Sequence, residues 1–118
     1  MPYSEELADR IREAIDPALE SHRLSLHEIN MFGGLCFMVR GHMCCGVIED
    51  SLMLRLGRDG ATEALGRRHT RPMDFTGTPM KTMVFIDPAG MRTRAALRAW
   101  LNRAVAFNLT LAPKNSAP

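Results

Sequence analysis

Three groups of residues in this chain have the types and spacing to do chemistry. The first is a set of thiols, Cys36 and the adjacent pair Cys44 and Cys45, with His42 just before the pair. A thiolate–imidazole couple or a redox switch requires such groups to touch. Neighbouring residues of a strand point to opposite faces, so Cys44 and Cys45 should not grip one ion as a C-x-x-C pair does. Cys36 and Cys45 could meet across a hairpin. The competing reading makes all three small buried hydrophobes. His42, Cys44, Cys45 and His69 follow no recognised zinc spacing, and no metal is expected.

The second group lies in RRHTRPMDFTGTPMK, where His69, Arg71, Asp74 and Lys81 mix acid, base and imidazole among glycine and prolines. A ligand or active site often sits on such a loop. Alternatively, Asp74 caps the loop's own N–H groups and pairs with Arg71, which would let Met73, Phe75 and Met80 pack. The third group is basic. Arg94 and Arg98 are four residues apart on one side of a helix, and Arg67, Arg68 and Arg71 could extend that patch toward nucleic acid. No groove-reading motif accompanies it.

A glycine pair in MFGG, Met31 to Gly34, resembles phosphate-binding chemistry only superficially. Neither G-x-G-x-x-G nor G-x-x-x-x-G-K is present, and the segment joins strand to strand where a phosphate loop opens a helix. Rossmann-type nucleotide and S-adenosylmethionine enzymes are thereby disfavoured, and no cofactor is expected.

These groups must be positioned by a small set of elements. Ser4 followed by Glu5 and Glu6 starts a helix, since the hydroxyl accepts an orphan N–H and the carboxylates suit the positive end of the dipole. Leu7, Ile11, Ala14 and Ile15 continue it, and Pro17 is expected to stop it at Asp16 or allow one short extra turn. Strands are expected over Leu24–Phe32, Leu35–Val39, Met43–Ile48 and Leu52–Leu56, with a turn at Gly41-His42 and another at Glu49-Asp50-Ser51. Such close spacing implies an antiparallel meander. Asp59 is expected to cap a short helix carrying Ala61, Ala64 and Leu65. The segment from Arg67 to Lys81 shows no period and is expected to be an irregular loop. Thr82–Ile86 reads as a fifth strand, and Thr93 as the cap of a last helix reaching Leu109, with Leu97, Trp100, Leu101, Ala104, Val105 and Phe107 on one broad stripe.

The order is helix, four strands, helix, strand, helix. It predicts an α+β fold of two layers, a five-stranded antiparallel sheet with helices on one face. With 118 residues and 46% hydrophobic composition, the chain can fill one core. Residues 1–111 should form the domain and 112–118 a disordered tail. The nine methionines include Met38, Met43 and Met53 on strands, where they either fill the core or, with helices covering only one face, leave the sheet apolar surface for a neighbour. Net charge is only +2, but it is uneven. Ser4–Glu20 carries −4 and Met91–Pro118 carries +5, so the first and last helices should attract each other. No segment reads as a membrane span or signal peptide, and three cysteines cannot make a disulfide framework, so a cytoplasmic chain with reduced thiols is expected.

Several strings now point to a known family: EELADRIR at Glu5–Arg12, MFGG at Met31–Gly34, GHMCCGV at Gly41–Val47, RPMDFTGTPMK at Arg71–Lys81 and FIDPAG at Phe85–Gly90. In order and spacing they resemble the N-terminal domain of the TfoX/Sxy competence regulators, over nearly the whole chain. The resemblance implies an α+β fold similar to secretion-chaperone-like domains. It also implies kinship with regulators that act with the catabolite activator protein in natural competence. Those regulators commonly carry a C-terminal helical domain with no counterpart in this sequence, so a stand-alone domain is expected. The family supplies no catalytic residues to carry over. The expected function is a non-enzymatic interaction or regulatory module, binding itself as a homodimer or another protein through the sheet face, a strand edge or the last helix. The alternatives are a small enzyme or ligand binder built on residues 69–81, and a nucleic-acid binder using Arg94 and Arg98.

Overall fold

The structure, a computed structural model, describes residues 3–31, 33–74 and 79–112. Helix α1 spans Glu5–Ser21, and its cap is the one anticipated: Ser4 Oγ accepts from the Leu7 N–H at 3.1 Å. Pro17 does not end it. The ring deletes one helical hydrogen bond, but the turn beyond it buries Leu19 against the core and closes through the Leu24 N–H on the Leu19 carbonyl, with Arg23 at φ 55°.

A meander follows: β1 at His27–Met31, β2 at Gly34–Val39, β3 at His42–Ile48 and β4 at Ser51–Arg55. Leu24 and Leu26, expected in the first strand, instead pack as a connector against the core, and Phe32 lies outside the described residues. The β2–β3 turn is Arg40-Gly41, one residue earlier than expected. Both have positive φ (57° and 81°), the twist a two-residue hairpin favours. Helix α2 spans Gly57–Leu65 and begins before Asp59, which falls inside its first turn. Leu56 takes the cap position with no side-chain bond. After it come β5 at Thr70–Asp74, β6 at Pro79–Ile86, a 3-10 turn at Pro88–Gly90, and α3 at Arg94–Asn108, where Thr93 Oγ1 accepts from the Ala96 N–H.

The sheet therefore has six antiparallel strands, ordered β1-β2-β3-β4-β6-β5, one more than expected. The extra strand, β5, comes from the segment taken as an irregular loop. A proline on an edge strand and a register shift between Pro72 and Met73 erase the alternation that would have betrayed it. Residues 75–78, and with them Phe75 and Gly77, lie outside the described residues, as do 113–118 of the expected tail.

All three helices cover one face. The main core joins Leu7, Ile11 and Ile15 of α1, Ala61 and Ala64 of α2, and Leu97 and Leu101 of α3 to Phe37, Val47, Leu54 and Ile86 of the sheet. The opposite face is not left bare. Cys36, Met53, Met73, Met83 and Phe85 bury one another there, with Met31, Met43 and Ile48 half-buried around them. Gly46 makes this possible: with no side chain on β3, Met53 lies across the strand toward Cys36. Met53 is thus core and not docking surface, while Met38 and Met43 stay half-buried.

Helices α1 and α3 pack together, in keeping with their opposite charges. Arg94 Nη2 donates to Glu13 Oε1 at 3.0 Å, and Arg10 Nη2 to the Met91 carbonyl at 2.6 Å. The Arg94–Glu13 pair is open to water on both sides, so it guides the contact more than it stabilises it.

Candidate functional site

Each group that the sequence singled out has a definite place in the fold. The cysteines are free and buried. Adjacent residues of a regular strand diverge, yet Cys44 and Cys45 both enter the main core. Register explains it: Phe37 pairs with Cys45 and Met38 with Met43, so Cys44 is the extra residue of a bulge. The neighbouring Cys44 thiol, together with burial, pushes the Cys45 thiol well above its usual range. Cys36 pairs with Gly46 and points into the opposite cluster, so it does not meet Cys45 across the hairpin. Burial pushes its pKa up to about 11.

A folded state that holds a thiol proton more tightly than the unfolded chain is favoured below the ordinary thiol pKa of ~8.5 and loses that advantage as pH rises toward the folded value. Native protein is therefore expected to give no colour with Ellman's reagent at neutral pH, and all three thiols should react after denaturation. Its unfolding midpoint should fall between the ordinary thiol pKa and about 11 more steeply than that of Cys36→Ala. Rapid labelling of the native protein would show that the cluster is open.

The four residues of the second group do not converge. His69 sits at φ 66° with its carbonyl accepting from the Asp87 N–H and its side chain against Gly90. Arg71 does not pair with Asp74: its Nε donates to Asp87 Oδ1 at 2.7 Å and its Nη2 to Ser51 Oγ at 2.9 Å, with the guanidinium stacked on Phe85. Asp74 ends β5 opposite Pro79 with its side chain in water, and any capping by it inside 75–78 lies outside the described residues. Lys81 points elsewhere, toward α2. Among the described residues no three His, Cys, Asp or Glu side chains are placed to hold a metal ion. His42 bonds through Nε2 to the Ala112 carbonyl.

Of the five arginines expected to form a basic face, Arg67, Arg71 and Arg94 are engaged by acids. Arg67 donates to Glu63 at 2.9 Å, Arg103 binds the same carboxylate, and both guanidiniums lie over Trp100. The two arginines, Arg67 first, hold the Glu63 carboxyl below its usual range. With Arg94 on Glu13 and Arg71 on Asp87, the basic face is reduced to Arg92, Arg98 and Arg68. Arg98 borders a groove of about 520 Å³ between α1 and α3.

One surface joins apolar and charged groups that have no other use. Helix α2 crosses the β5–β6 hairpin, and between them runs a groove of about 450 Å³ lined by Arg58, Thr62, Leu65, Pro72, Met80 and Lys81. Leu65 is 42% and Met80 37% exposed, two of the four large hydrophobic side chains left open among the described residues. Arg58 and Lys81 stand at the groove with no ion-pair partner among the described residues. An apolar floor between two free cations suits a ligand that brings a hydrophobic anchor and carboxylates.

Lys81, Pro72 and Met80 belong to the segment that the sequence marked, whereas Arg58 and Thr62 did not attract notice and Leu65 was expected only as an apolar residue of the short helix. Their one signal was Leu65, which follows Ala64 without sharing its buried face.

Among known families the TfoX N-terminal domain matches residues 22–108. No curated protein and no solved structure matches the chain.

Proposed function

The chain belongs to the TfoX N-terminal domain family, and we propose that it is a non-enzymatic interaction module, regulatory in role, that docks an acidic, apolar-anchored segment of another protein between α2 and the β5–β6 hairpin. The observation that carries this reading is the pairing of exposed Leu65 and Met80 with the unpaired cations Arg58 and Lys81 in one groove. A contiguous exposed apolar patch rimmed by polar groups is a mark of a partner site. The scatter of His69, Arg71, Asp74 and Lys81 over separate surroundings supports the non-catalytic side of the proposal, since acid–base chemistry needs such groups aimed at one point. Nucleic acid suits the molecule less well, because the α3 patch shares its surface with Glu13 and the neighbouring arginines are held by Glu63 and Asp87. No helix among the described residues is long and apolar enough to cross a membrane.

The test is a titration of isotope-labelled protein with a synthetic peptide carrying Leu and Met anchors between Glu residues, followed by amide chemical shifts. Movement should centre on Arg58, Thr62, Leu65 and Lys81 and weaken with salt. Shifts centred on Arg98 and the α1–α3 groove, or none at millimolar peptide, would overturn the assignment.

A further inference from the structure

A second surface, separate from the α2 groove, is the outer edge of β1. The sheet has two edges, and they are built differently. Edge strand β5 carries Pro72, which has no N–H to offer, a register shift beside it, and the charged side chains of Arg71 and Asp74. These are the devices by which natural sheets discourage edge pairing. Strand β1 has no proline and no register shift, and it carries one carboxylate. His27–Met31 pairs with β2 in unbroken register over all five residues, contains no proline or lysine, and leaves its other edge without a strand among the described residues. Residues 27–30 are exposed, and Ile29 at 38% is one of the few large hydrophobic side chains in the open. Its single charge, Glu28, is held by a two-pronged bond from Arg12 of α1, Nε to Oε2 and Nη2 to Oε1, both at 2.7 Å. That bond keeps the Glu28 carboxyl below its usual range.

We infer that β1 is a self-association edge, where two copies of this chain join antiparallel about a two-fold axis through Ile29. The register follows from geometry. Cross-strand partners share a face of the sheet, so an axis perpendicular to it must pass through a residue and not between two. An axis through Glu28 would set two carboxylates opposite each other, and one through Asn30 would leave two of the five residues unpaired. An axis through Ile29 pairs all five residues: Ile29 faces its own copy, Glu28 faces Asn30, and His27 faces Met31. No like charges meet, and each Glu28 carboxylate gains a carboxamide donor.

The faces agree as well. Ile29 pairs with Cys36 and Met31 with Gly34, so Ile29 and Met31 lie on the face of the sulfur-rich cluster, against which Met31 already packs. Joining two edges carries that apolar layer across the joint and removes both Ile29 side chains from water. On the other face the Glu28–Asn30 contacts fall beside Arg12.

Sedimentation velocity over a wide concentration range tests the inference. Wild-type protein should shift from monomer to dimer as concentration rises. Ile29→Lys, a change at an exposed side chain, should raise the dissociation constant at least tenfold while circular dichroism stays unchanged, and Ile29→Pro should abolish the dimer. Under mild oxidation Ile29→Cys should form a covalent dimer far faster than Glu28→Cys, because only position 29 meets itself. A wild-type chain that is monomeric at millimolar concentration overturns the inference, as does a dimer indifferent to Ile29→Lys or equal cross-linking at 28 and 29. Peptide binding in the α2 groove is unaffected by any of these outcomes.

Discussion

Gly46→Val is expected to lower the unfolding midpoint sharply. A Cβ at this point of β3 would stand 2.5 Å from Met53 Cε, 2.7 Å from the Leu35 carbonyl oxygen and 3.3 Å from Cys36 Cα. The Met53 methyl can swing aside, but the other two are backbone of β2, and moving them opens the pairing of Leu35 with Val47 and of Cys36 with Gly46. Overpacking of a filled core costs ~1–3 kcal/mol for an added methylene or two. Valine adds three carbons against backbone, so a loss of about 3 kcal/mol or more is expected from a total that for domains is ~5–15 kcal/mol. Gly33→Ala is the control. Its Cβ meets nothing within 4 Å, and only the positive φ of 75° opposes it, which costs ~1–2 kcal/mol. Guanidinium unfolding measures both. Equal midpoints for the two variants would mean that β2 and the Met53 side chain do not close over β3.

Reversing both groove cations, Arg58→Glu with Lys81→Glu, should weaken binding of the acidic peptide by on the order of 100-fold and create affinity for its Lys-for-Glu counterpart. Neither side chain has an ion-pair partner among the described residues, so the unfolding midpoint should not move. Leu65→Asp should also weaken the acidic peptide, by removing the anchor contact and adding repulsion, but should not recruit the basic one. This contrast separates charge selection from apolar burial. Unchanged affinity in the double variant would remove the cations from the account.

Much of this architecture could be read before any coordinates. Ser4 and Thr93 announce helix starts because a cap is a local event, one oxygen and one N–H three residues on. The β2–β3–β4 meander is equally local, since short apolar runs between turn residues leave the chain no other way to pair. What escaped depended on contacts distant in sequence. Leu19 outweighs Pro17 only because a core lies beneath it. Strand β5 exists only because β6 crosses over to lie between β4 and β5. The shared direction of Cys44 and Cys45 rests on one bulged residue that no periodicity reveals.

The same distinction applies to the candidate site. Lys81 lay in a stretch that looked special by composition, but its companions Arg58 and Leu65 come from a helix whose place over the hairpin is a matter of topology. The expectation of an apolar sheet face awaiting a partner was sound about which residues lie there. It missed Gly46, whose empty place lets Met53 and Cys36 close that face on itself.

Photo-cross-linking in the cell that makes the protein tests the central claim most directly, with a benzophenone amino acid at position 65 and a control at exposed Asp16 on α1. The account predicts that position 65 captures one partner through a segment bearing carboxylates beside an apolar residue, that Asp16 does not, and that the product vanishes when Arg58 and Lys81 are both reversed. Capture of the same proteins at both positions, or a product at 65 that survives the reversal, would contradict it.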